Sequence, residues 1–119
     1  MKKTIKVYLK GKDVSCVGQY NSGNNTLTIL AGSLIRKKVS PNFKYNRKRL
    51  SQIREYCKEQ GDSYFLVKDA VFDTPSAAAK FSLGYEVNGP AYWRTDDNVN
   101  LKVIMQKQKS NVEHNIESE

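Results

Sequence analysis

The chain has 119 residues, of which 39% are hydrophobic and 27% charged, with a net charge of +8 and a pI near 9.5. That length suits one domain with one core and a shallow groove. It holds no apolar run approaching the ~20 residues of a membrane span and no apolar stretch for a secretory signal, while two distant cysteines and a single histidine, His114, argue against a zinc site.

Thr4–Lys10 alternates, with Ile5, Val7 and Leu9 on one face and Lys6, Tyr8 and Lys10 on the other, the pattern of a half-buried strand. A Gly11-Lys12-Asp13 turn leads to a second strand, Val14–Tyr20, and an Asn/Gly-rich turn leads to a third, Thr26–Ala31. Three short runs separated by turn residues predict an antiparallel meander. The turn Ser40-Pro41-Asn42 then precedes a helix over Asn46–Gln60. Its predicted apolar stripe is Leu50, Ile53 and Cys57 beside Tyr56; Arg47, Arg54 and Lys58 lie on another arc, and Gly61 closes it. Ser63–Phe72 is a fourth strand, bending near Asp69. Thr74 caps a short helix with Pro75 at its first position, the three alanines that follow favour helix, Phe81 and Leu83 face inward, and Gly84 ends it. Asn88-Gly89-Pro90 is a loop and Ala91–Arg94 a short final strand or turn. Val99–Met105 fits either a strand or a short helix, with strand favoured. Residues 106–119 are polar without an apolar period, as in a disordered tail. The expected architecture is α+β: a small, mainly antiparallel sheet of about five strands packed with one longer and one short helix, as one domain over residues 1–105.

Charge is unevenly placed. Residues 1–54 carry thirteen Lys/Arg against Asp13 alone, a net of +12, whereas residues 55–119 carry a net of −4. From Arg36 to Arg54 there are eight basic residues, Arg36, Lys37, Lys38, Lys44, Arg47, Lys48, Arg49 and Arg54, and no acid. Such a run is either a solvated helix face or a surface for a polyanion. Catalytic chemistry finds little support. Asp62, Asp69 and Asp73 lie on or beside one strand instead of converging on a metal, no serine has a nearby histidine, and no glycine-rich phosphate loop is present. No cofactor or metal is expected. Cys16 and Cys57 read as ordinary thiols of a reducing, cytoplasmic compartment.

The stretch Phe72–Arg94, FDTPSAAAKFSLGYEVNGPAYWR, resembles the hallmark F-x-SPSAAA…G…NG…W-[KR] of a small bacterial domain of unknown function. That family is found fused to GIY-YIG-type nucleases or near restriction–modification genes, and it is similar to the RAMA domain (restriction enzyme adenine methylase associated), proposed to recognise DNA, including modified DNA. Phe72, Pro75-Ser76-Ala77-Ala78-Ala79, Gly84, Asn88-Gly89 and Trp93-Arg94 carry the likeness. Thr74 replaces the usual serine and keeps the capping hydroxyl, and Pro90 stands where an aromatic is common. The resemblance implies a small α+β binding domain that works beside nucleic-acid enzymes, with a nuclease or methyltransferase as partner.

Together these readings predict a non-catalytic, DNA-binding accessory or targeting module. Arg36, Lys37, Lys38, Lys44, Arg47, Lys48 and Arg54 would neutralise phosphates, and Ser76, Asn88, Trp93 and Arg94 would line a recognition edge. The alternative is a protein-interaction module whose basic face docks an acidic partner.

Overall fold

A computed structural model describes residues 4–41, 43–44, 46–87 and 89–105. The fold is α+β. Its strands are β1 (Thr4–Gly11), β2 (Val14–Asn21), β3 (Thr26–Ile29), β4 (Leu34–Arg36), β5 (Cys57–Gln60), β6 (Ser63–Leu66) and β7 (Ala70–Phe72); its helices are α1 (Asn46–Tyr56) and α2 (Pro75–Leu83), and a 3-10 turn spans Gly89–Tyr92. Seven strands form one sheet in the order β5-β6-β4-β2-β3-β7, with β1 paired to β2 along its length.

The expected meander is present, and its register shows how seven strands arise where about five were predicted. β2 meets β3 at Gly18↔Ile29 but β4 at Ser15↔Leu34, so residues 30–33 bulge out of one long, broken strand. On the other edge of that strand, β6 pairs β4 (Arg36↔Ser63, Leu34↔Phe65) and β7 pairs β3 (Ile29↔Ala70, Leu27↔Phe72) in one unbroken register. The predicted strand Ser63–Phe72 is therefore two strands split at residues 67–69. At the split, an Asp69 carboxylate oxygen accepts the N–H of Ala31 at 2.8 Å, a donor that the bulge takes out of the ladder.

The longer helix is shorter than its periodicity implied, and it turns a different face inward. α1 stops at Tyr56 because residues 57–60 pair with β6, and Gly61 (φ 61°) makes the hairpin turn between them instead of capping a helix. Arg49 and Ile53 are buried, whereas Leu50, predicted to face the core, is 43% exposed. The inward arginine is the reason for the rotation: its Nε donates to the carbonyl of Phe81 at 2.7 Å and its Nη2 to the carbonyl of Arg36. The run 99–105 also differs from expectation. Asn100 makes a bridge with Arg94, its side-chain oxygen accepts the N–H of Lys102 at 2.8 Å, and residues 101–105 are helical. An Asn at a helix start competes well against strand pairing. The predicted tail, residues 106–119, lies outside the described residues.

α2 packs on one face of the sheet. Ala78, Ala79 and Phe81 are wholly buried in one core cluster with Val7, Leu27, Ile29 and Ile35, and the Phe72 and Phe81 rings stand 5.0 Å apart. Both ends of α2 are built as the sequence predicts: Thr74 Oγ1 accepts the N–H of Ala77 at 3.1 Å, and Gly84 (φ 79°) donates to the carbonyl of Lys80. Gly84 has a second constraint. A Cβ there would lie 2.7 Å from the backbone oxygen of Lys38, and its carbonyl accepts the N–H of Ser40. Gly84→Ala is therefore expected to cost at least about 2 kcal/mol in a urea titration, from left-handed strain and the clash together. An unchanged midpoint would show that the Lys38–Ser40 segment moves aside freely.

Candidate nucleic-acid interface

The basic run is divided by the fold. Arg49 is 1% exposed and belongs to the core. Burial pulls its guanidinium down to about 10, and it holds its charge against carbonyl dipoles, one of them in the last turn of α2. Lys37 is paired with Glu59 at 3.2 Å and sits over the Tyr64 ring. Lys38, Lys44, Arg47 and Arg54 are exposed and form no ion pair with another described residue. Lys48 is exposed on the same helix. The predicted arc of Arg47, Arg54 and Lys58 does not form, because Lys58 is on β5, where its ammonium lies 5.6 Å over the Phe65 ring.

Arg36 ends β4, and its guanidinium lies 5.8 Å over the Tyr85 ring. Its Nε is buried and makes no hydrogen bond with a described residue. It lines an open groove of about 530 Å³ with Lys38, Ser40, Phe43, Tyr85 and Glu86. Arg54 lines another, of about 360 Å³, with Leu50, Cys57, Lys58 and Tyr64.

Of the predicted recognition edge, Trp93 turns inward and Arg94 outward. Trp93 is wholly buried: its Nε1–H donates to the carbonyl of Pro75 at 3.0 Å, and its ring packs where Gly18 leaves room, a Cβ on Gly18 falling 3.4 Å from Trp93 Cζ3. It is a core residue. Ser76 is half-buried in the first turn of α2, and Asn88 lies outside the described residues. Arg94 is exposed, because a neighbour of an inward tryptophan on an extended segment points the other way.

Arg94 instead joins residues that the sequence reading left apart. It forms an antiparallel bridge with Tyr8, the two backbones exchanging N–H···O bonds at 2.6 and 2.9 Å. This adds a short segment to the edge of β1 and opens a groove of about 440 Å³ lined by Tyr8, Lys10, Tyr92, Arg94, Asp96 and Asn98. Lys6 and Lys10 lie 5.7 and 5.5 Å from the Tyr8 ring centre, on the sheet face away from Val7 and Leu9. The alternation of β1 was a visible signal for the Lys6-Tyr8-Lys10 cluster. Its joining to Arg94, across more than eighty residues of chain, was not.

Cys16 donates to the Leu34 carbonyl and to Ser82 Oγ, and burial pushes its thiol up to about 12; burial raises Cys57, half-buried, to about 11. Asp69, weighed as a metal ligand, is occupied by the Ala31 amide, and no three His, Cys, Asp or Glu side chains are grouped to hold a metal among the described residues. No helix among them is long and apolar enough to cross a membrane.

Neither a curated protein nor a solved structure matches the chain. A family model, that of a domain of unknown function (DUF4357), matches residues 7–105, from the β1 cluster through the capped helix and Trp93 to the last described turn. A match over most of the chain places it in a family: the protein belongs to DUF4357.

Proposed function

We propose that the domain is a non-catalytic nucleic-acid-binding module that docks on DNA through the loop before α1 and the exposed side of α1. One observation carries this reading. Lys38, Lys44, Arg47 and Arg54 are solvent-exposed without a carboxylate partner among the described residues, in a segment where no acid occurs between Val14 and Arg54. Unpaired cations on one segment are what a phosphate backbone meets, and their affinity comes from counterion release. The likeness of Phe72–Arg94 to domains found beside nucleases and restriction–modification genes supports a role as the targeting part of such a system, with a nuclease or methyltransferase as partner, acting in the cytoplasm.

The test is a gel-shift series on duplex DNA at several salt concentrations. The wild-type chain binds with a steep salt dependence. Arg47→Ala/Arg54→Ala binds more weakly on every sequence, and its log–log salt slope falls by about 1.8, roughly 0.9 for each lost phosphate contact. Unchanged affinity in the double variant would remove this surface. Failure of the wild type to bind any nucleic acid at low salt would reject the reading in favour of an acidic protein partner.

A further inference from the structure

Resting on that reading, the Tyr8 groove narrows the ligand. We propose that it takes an unpaired nucleotide of a single strand, its base stacking on Tyr8 or Tyr92 and its flanking phosphates meeting Lys6, Lys10 and Arg94. Two tyrosines line the groove, Tyr92 being 41% exposed, and two cations, Lys10 and Arg94, line it with a third, Lys6, beside Tyr8, against one carboxylate among the described lining residues, that of Asp96. Its volume of about 440 Å³ is in the range of clefts that hold small organic ligands. Interleaved aromatic rings and cations are the composition of a single-strand site, because every base has a π-face and every linkage a negative charge. A purely acidic peptide uses the cations and leaves both rings idle. A closed duplex cannot present a base face to them.

The side chains also suggest how the ligand enters. The two ammonium groups rest against Tyr8 in contacts that are weak where water reaches them. A base stacking on the ring displaces them, and their flexible stems swing the charges onto the adjoining phosphates. Asp96 repels phosphate and so faces the base edge, where a carboxylate accepts from the exocyclic amino group of cytosine.

The experiment uses the full chain and a short single-stranded oligodeoxynucleotide carrying one 2-aminopurine, beside the matching closed duplex. The wild type quenches the 2-aminopurine. Tyr8→Leu, which keeps a strand-compatible apolar side chain, loses the quenching and about tenfold in single-strand affinity while retaining duplex binding. Tyr92→Leu, outside the strand ladder, is measured in parallel so that a folding defect in the first variant does not decide the result. Quenching that survives in both variants overturns the groove. So does displacement of the strand by polyglutamate as readily as by unlabelled oligonucleotide. Duplex binding without quenching by the wild type rejects this inference and leaves the DNA-docking surface standing, whereas no binding to either nucleic acid rejects both.

Discussion

Arg49→Ala is expected to destabilise the domain by about 3–5 kcal/mol, much of the ~5–15 kcal/mol by which a typical domain is stable. The side chain is 1% exposed and ties three elements together: it leaves α1, and its two donors reach the end of α2 at Phe81 and the end of β4 at Arg36. Truncation leaves a cavity beside the Phe81 ring and removes the donor from one buried carbonyl, Phe81, and one part-buried carbonyl, Arg36, the buried one costing about 1–3 kcal/mol. Arg49→Lys restores less than half of the loss, because one ammonium on a single stem does not reproduce the fork of a guanidinium. Urea titrations of both variants beside Arg54→Ala decide the matter. If Arg49→Ala moves the midpoint no further than the exposed Arg54→Ala does, the buried network contributes nothing.

Trp93→Ala is expected to cost about 3–5 kcal/mol, the range for emptying a large aromatic site that cannot collapse. The cavity would open between Gly18 on β2 and the start of α2, where the Pro75 carbonyl would also lose its donor. Trp93→Phe fills most of the space and costs about 1–2 kcal/mol, chiefly the missing indole N–H. Thermal unfolding measures both. Because Trp93 faces the core, Trp93→Phe leaves nucleic-acid affinity unchanged at temperatures where it is folded. A variant that lost affinity while keeping its stability would return Trp93 to the recognition edge.

Much of the scaffold was legible because it is local. Alternation in β1, the turn residues before β3, and the Thr74–Gly84 cap and stop each act within a few residues. Partners distant in sequence were not legible. α1 was rotated relative to its apolar period because carbonyls from β4 and α2 make room for an arginine where Leu50 was expected, and it was shortened because residues 57–60 pair with β6. The split of Ser63–Phe72 follows from a bulge in the opposite strand, and the break expected near Asp69 turned out to be a side-chain bond to that bulge. The candidate site was partly legible. The exposed cations Lys38, Lys44, Arg47 and Arg54 lie in the predicted run, but charge counting does not separate them from Arg49, whose burial depends on tertiary partners. Trp93-Arg94 read as one feature, whereas an extended backbone sends its halves to opposite sides.

That back-to-back arrangement has a practical consequence. The chain has one tryptophan, and its indole is sealed under α2 while its sequence neighbour faces the Tyr8 groove. Intrinsic emission excited at the indole therefore monitors the integrity of the α2–sheet contact, red-shifting as water reaches the ring on unfolding. A ligand arriving at Arg94 leaves that emission nearly unmoved. The two sides of a single dipeptide thus provide separate readouts, one optical and global for folding, the other silent to the indole and accessible only through a label carried by the ligand.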